Sequence, residues 1–162
     1  MTEFAVLEPG ESIARWLVGR FGPAGRAEDK PRLLVVGPGG ELPPGRELLE
    51  CGTVLLPGGA GEVLEQVRAG SAVSYGLSRR DTITLSSQSA DRLWVAVQRE
   101  LVRVDGTVLD RQEVPVRLPR EMEAMQLLAL TGAMLLLGVR PEELSLGCDK
   151  MQAAAEQKNT PQ

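Results

Sequence analysis

Ser71–Gln88, SAVSYGLSRRDTITLSSQ, is the stretch on which the fold turns. Ala72–Tyr75 and Thr82–Ser87 read as strands, and the polar segment between them reads as a corner. Before this stretch, short apolar runs alternate with helical patterns. After it, Thr82-Ile83-Thr84-Leu85-Ser86 alternates polar and apolar residues, as a half-exposed strand does.

Working back from the corner, Ser12–Phe21 follows the acidic segment Glu8-Pro9-Gly10-Glu11, a composition suited to a helix start. Ile13, Trp16, Leu17 and Phe21 fall at helical spacing, which makes Trp16 and Phe21 core anchors, and Gly22-Pro23 stops the helix. Arg32–Val36 is a short continuous apolar run, the pattern of a strand buried on both faces. Arg46–Cys51 is expected to form one or two helical turns. Thr53–Leu56 is expected to be a second buried strand, and Glu62–Ala69 a helix with Val63, Leu64 and Val67 on one face. Strand, helix and strand at this spacing form a βαβ unit, so a small parallel, Rossmann-like sheet is expected.

Working forward, Leu93–Val104 and Thr107–Leu118 flank Asp105-Gly106, a hairpin signal because both central residues of such a turn take positive φ. Pro119 is expected to end the hairpin. Arg120–Leu137 is the clearest helix, apolar almost all round from Leu127 onward, with Gly138 as its C-cap and a further short helix starting at Pro141. The expected fold is thus α/β: a parallel sheet with helices, extended by an antiparallel hairpin sheet and closed by a long C-terminal helix. Residues 1–147 form one domain with halves at 1–78 and 79–147, and 148–162 is a polar tail or helical extension.

Composition narrows the chemistry. The 162-residue chain has a net charge of −4 and only 3% aromatic residues, which argues against a nucleic-acid partner. Histidine is absent, which removes Ser–His and Cys–His nucleophile pairs and the commonest metal ligand. Cys51 and Cys148 fit no metal-ligand spacing and are expected to be reduced thiols of a cytoplasmic protein. The apolar run over residues 127–139 is short of the roughly 20 residues a bilayer requires, and MTEFAVLEPGES lacks a signal-peptide pattern, so no membrane association is expected.

Two glycine-rich loops follow expected strands: Gly37, Gly39 and Gly40 after RLLVV, and Gly58, Gly59 and Gly61 after TVLLP. Such loops let a backbone approach phosphate, yet neither is a Walker A or a GxGxxG sequence, and Glu62 stands where an anion would go. Tight turns in a compact α/β domain explain both loops and are the favoured reading. Arg79 and Arg80 at the central corner are candidates for holding a carboxylate or phosphate, but the favoured reading has them solvated, with Asp81 capping the turn. Asp91, Asp105, Asp110 and Glu113 have no spacing that brings them together. Met122 and Met125 could line an adaptable surface, with packing under the sheet the favoured reading. No catalytic set, metal site or cofactor is expected.

Taken in order, these elements resemble part of the Mur ligase family, the ATP-dependent amino-acid-adding enzymes of peptidoglycan synthesis. The resemblance covers roughly Thr53–Leu144. It is carried by Ala72-Val73-Ser74-Tyr75-Gly76-Leu77-Ser78 followed by Asp81-Thr82-Ile83-Thr84, and by Leu118-Pro119 opening the long helix. It continues through Gln126 and Ala129 within that helix to the ending Leu137-Gly138-Val139-Arg140-Pro141-Glu142-Glu143-Leu144. The family's phosphate-binding Gly-Lys-Thr/Ser loop is missing, its His-Asn pair falls at Met122-Glu123, and Lys30, Lys150 and Lys158 offer no counterpart of its carbamoylated lysine. The resemblance therefore implies a non-catalytic relative of the family's central domain, a binding or interaction module whose partner is an unknown protein. The residues alone leave two alternatives: a nucleotide or phosphometabolite protein holding a small anion on a glycine loop, and a self-associating scaffold forming a homo-oligomer near the long helix.

Overall fold

A computed structural model describes residues 2–45, 48–117 and 122–144. Its strands are β1 (Phe4–Leu7), β2 (Leu33–Val36), β3 (Leu49–Pro57), β4 (Val67–Gly76), β5 (Ile83–Gln88), β6 (Arg92–Val97), β7 (Leu101–Val102), β8 (Val108–Leu109) and β9 (Gln112–Arg117). Its helices are α1 (Ser12–Phe21), α2 (Gly61–Leu64) and α3 (Ala124–Leu136), with a 3-10 turn at Ala27–Asp29. The fold is α/β, built on a mostly parallel seven-stranded sheet in the order β1-β2-β3-β4-β5-β6-β9. β1 to β5 run parallel, while β5-β6-β9 are antiparallel and β7 and β8 form a separate antiparallel ribbon.

The stretch Ser71–Gln88 joins the two halves in an unusual way. β4 and β5 are parallel neighbours, yet only six residues separate them, far fewer than a crossover needs. The register explains this: only Tyr75↔Ile83 and Gly76↔Thr84 are paired. The chain leaves the end of β4, steps sideways at residues 77–82 and continues in the same direction, so it makes no return journey.

The core lies on both faces of the parallel half. One face carries Phe4, Leu33, Val35, Leu55, Val73 and Tyr75 against α1 and α3. The other carries Ala5, Leu34, Val36, Val54 and Leu56, covered by Ala27, Leu42, Ala60 and Val63. α3 is apolar all round because it is buried all round: Leu127–Leu136 are without exception inaccessible. Gly138, at φ 102°, ends it, and Val139 N–H donates to Met134 O. Residues 141–144 form a further helical turn.

Five expectations change. β1 was not foreseen, because four residues between a polar start and Glu8 carry little periodic signal. Leu49–Cys51 are strand rather than helical turns, since Leu49 N–H donates to Gln66 O and pairs β3 with β4 from its first residue; Arg46 and Glu47 lie outside the described residues. The helix expected over Glu62–Ala69 is only Gly61–Leu64, because Val67–Ala69 pair with Leu49–Cys51. The hairpin strands are interrupted, giving β6 with β9 and β7 with β8. At its tip only Gly106 takes positive φ, with Gly106 N–H donating to Arg103 O and Asp105 Oδ1 accepting from Thr107 N–H. The long helix starts at Ala124, with Glu123 as an extended N-cap. Pro119, Arg120, Glu121 and the 148–162 tail lie outside the described residues.

Candidate functional site

In parallel α/β sheets ligands are held at the carboxyl ends of the strands. The chain brings all the sequence-derived candidates to that end: Gly37, Gly39 and Gly40 after β2, Gly58, Gly59 and Gly61 after β3, and Arg79 and Arg80 after β4. The strands run in sequence order, so the described sheet has no point where strand order reverses and opens a crevice.

What fills this end is the chain's own carboxylates. Glu8, just past β1, accepts from Ile13 N–H at 3.0 Å and Ala14 N–H at 2.8 Å. It thereby occupies two of the free donors of the α1 N-terminus, the place where this helix would meet an anion. Asp81, 4% exposed, lies against Gly58 and Gly76 so closely that a Cβ on either glycine would collide with its carboxylate. Its Oδ2 accepts from Ser78 N–H at 3.1 Å, Asp81 N–H donates to Ser78 O, and Gln98 Nε2 donates to Asp81 O at 2.7 Å. The sequence expectation that Asp81 caps the corner holds, and Asp81 also explains why Gly58 and Gly76 are glycines.

The first glycine loop is explained in a similar way. Gly37 N–H donates to Leu7 O and Gly40 N–H to Gly37 O, while a Cβ on Gly40 would strike Leu7 O. Gly39 and Gly59 supply the left-handed turn residues at φ 74° and 84°, and nothing crowds Gly61. Arg79 and Arg80 are exposed; their carbonyls accept from Gln98 and Arg99, and among the described residues no carboxylate pairs with either guanidinium.

Sequence reasoning missed Tyr75 and Glu8 as structural members of this end. The Tyr75 hydroxyl, fully buried, donates to Val36 O at 2.7 Å and ties β4 to β2 across β3. Burial, with the Glu8 charge second, pushes its phenol above the ordinary tyrosine range. A lone tyrosine inside an apolar run was the available signal, since a buried hydroxyl requires a partner.

Two open grooves, of about 620 and 550 Å³, lie at the opposite end of the parallel strands. The smaller is lined by Lys30, Arg32, Glu50, Cys51, Thr53 and Arg103. Its charges are largely matched within the chain: Lys30 and Arg68 lie 3.4 and 3.8 Å from Glu50, and Arg32 lies 3.9 Å from Glu3. Burial pushes the Cys51 thiol up to about 11, which disfavours the reactive thiolate at neutral pH. Neither groove contains any of the eight sequence-derived candidates. Among the described residues no three His, Cys, Asp or Glu side chains group as metal ligands, and no helix is long and apolar enough to cross a membrane. No family model matches the chain, and no curated protein matches it.

Proposed function

We propose that this chain is a non-catalytic, Mur-ligase-like domain that acts as an interaction module, with a Rossmann-like parallel half retained as scaffold. One observation carries the reading. The end of the sheet where such a fold handles phosphate is taken up by Glu8 and Asp81, whose carboxylates repel an anion and already engage the Ile13, Ala14 and Ser78 N–H donors. Gly58 and Gly76 serve close packing against Asp81, and Gly40 serves close packing against Leu7.

The reading is tested by thermal melting against ATP, ADP, UDP-sugars and inorganic phosphate, with and without Mg²⁺. A ligand held at about 100 times its Kd adds roughly 2.7 kcal/mol, a shift of several degrees. The expected result is a flat panel. A shift that disappears in Gly59→Glu would overturn the reading and install the glycine loop as a nucleotide or phosphometabolite site.

A further inference from the structure

The corner between β4 and β5 gathers positive charge that no described neighbour neutralises. Arg79 and Arg80 are exposed there, and neither guanidinium bonds to a described residue. Arg99, 19 positions on from Arg80, joins them: its Nη2 donates to Arg80 O at 3.0 Å, so a third guanidinium stands against the same turn. Among the described residues none of the three has a carboxylate at ion-pairing distance, and Glu100, next to Arg99 in sequence, forms no such pair. The corner's own carboxylate, Asp81, is turned inward onto Ser78 N–H and against Gly58 and Gly76. Like charges set side by side repel. Here the repulsion is left without a counter-charge, in a chain whose net charge is −4.

The corner is also held in place and has an apolar neighbour. Ser78 O accepts from Asp81 N–H, and Ser78 Oγ accepts from Arg80 N–H at 3.2 Å. Gln98 Nε2 donates to Arg79 O at 3.1 Å and to Asp81 O at 2.7 Å. The backbone carrying the arginines is thus fixed before a partner arrives, which lowers the ordering cost of binding. Leu77, at the start of the same corner, is 67% exposed, more than any other large hydrophobic side chain among the described residues. All three cations are arginine, whose planar fork matches a carboxylate and which is enriched at protein interfaces where lysine is depleted.

We propose that this corner docks an acidic segment of a partner protein, its carboxylates on Arg79, Arg80 and Arg99 and an apolar side chain against Leu77. This rests on the interaction-module reading and names the chemistry of the partner. Charge complementarity is local here. An extended polyanion such as a membrane surface would also meet the rest of the molecule, which is negative as a whole. A free phosphate reaches an exposed arginine but not the apolar contact, and a lone exposed ion contact contributes little. Docking of an acidic segment is therefore compatible with a flat nucleotide and phosphate panel.

Fluorescence anisotropy with a labelled Glu-Glu-Leu-Glu-Glu peptide is the test, with Gln-Gln-Leu-Gln-Gln as its uncharged counterpart. The wild type is expected to bind the acidic peptide saturably, to ignore the uncharged one and to lose affinity severalfold as salt rises from about 50 to about 300 mM. Arg79→Ala/Arg80→Ala is expected to raise the Kd roughly tenfold or more with the Tm unmoved, since neither side chain bonds within the described fold. Leu77→Ser is expected to raise it by a smaller factor. Arg26→Ala/Arg92→Ala removes the same charge at exposed positions elsewhere and is expected to leave the Kd unchanged. A wild type that does not bind the acidic peptide, or equal weakening by the two double variants, overturns the proposal. Binding to phosphatidylserine vesicles without peptide binding overturns it in favour of a membrane surface. Absent peptide binding with a flat ligand panel ends only this docking site, whereas a nucleotide shift in the panel ends the interaction-module reading itself.

Discussion

The two halves of the sheet solve the same burial problem differently. In the parallel half, β2 and the end of β3 are covered on both faces, and their sequences, LLVV and VLL, are correspondingly apolar at every position. In the antiparallel half the described residues cover only one face. Leu93, Val95, Val97, Val114 and Val116 point to the α3 side, while Arg92, Trp94, Glu113 and Arg117 alternate with them on the side away from it. Burial on one face or two is thus written directly into the period of the sequence, and the side step at Leu77–Thr82 is where the period changes.

The largest effect should come from truncating the doubly covered half. Leu34→Ala or Leu55→Ala, each inaccessible to solvent, should cost about 2–5 kcal/mol in denaturant melts, whereas Trp94→Ser, on the open face of β6, should stay within about 0.5 kcal/mol. Equal costs would show that the antiparallel face is covered too.

Next in size is the corner. Gly76→Ala forces a methyl into the Asp81 carboxylate, and Asp81→Ala removes the acceptor for Ser78 N–H; each should cost about 1–3 kcal/mol. The double variant should cost less than the sum of the two, because the clash and the carboxylate are one contact.

Tyr75→Phe leaves Val36 O without its donor and should cost about 1 kcal/mol. It should also change the alkaline limb. Burial raises the folded-state phenol pKa, so above about 10 the unfolded chain loses this proton while the folded chain keeps it. The contribution is complete below that pH and is lost as pH climbs beyond it. In Tyr75→Phe this part of the alkaline decline should vanish.

The smallest effect concerns Cys51. With its thiol pushed up to about 11, alkylation at neutral pH should be much slower than for an exposed cysteine, and Gly52 and Arg32 substitutions that open the adjoining groove should speed it.

Much of the fold was legible. α1, β2, the centre of β3, β5 and the interior of α3 follow from period and from Gly/Pro punctuation. What was not legible depends on partners distant in sequence. Cys51-Gly52-Thr53 and Ala69-Gly70-Ser71 break alternation, because β3 and β4 change phase together. Leu49 and Val67 are strand only because they face each other. The Asp105-Gly106 tip was placed correctly, but its conformation needed only one left-handed residue. At the candidate site, the Asp81 cap was readable from the short corner. That Glu8, 73 positions upstream, would help to close the same end could not be read, because only the parallel register of β1 with β2 brings it there.

The central claim is that the carboxyl end of the parallel strands is closed by Glu8 and Asp81. A residue-resolved NMR titration of the wild-type chain with phosphate and with ATP and Mg²⁺ tests it most directly. The account predicts that the amide signals of Gly37, Gly39, Gly40, Gly58, Gly59 and Gly61 stay in place throughout. Saturable shifts at those glycines, with matching shifts at Arg79 and Arg80, would contradict it.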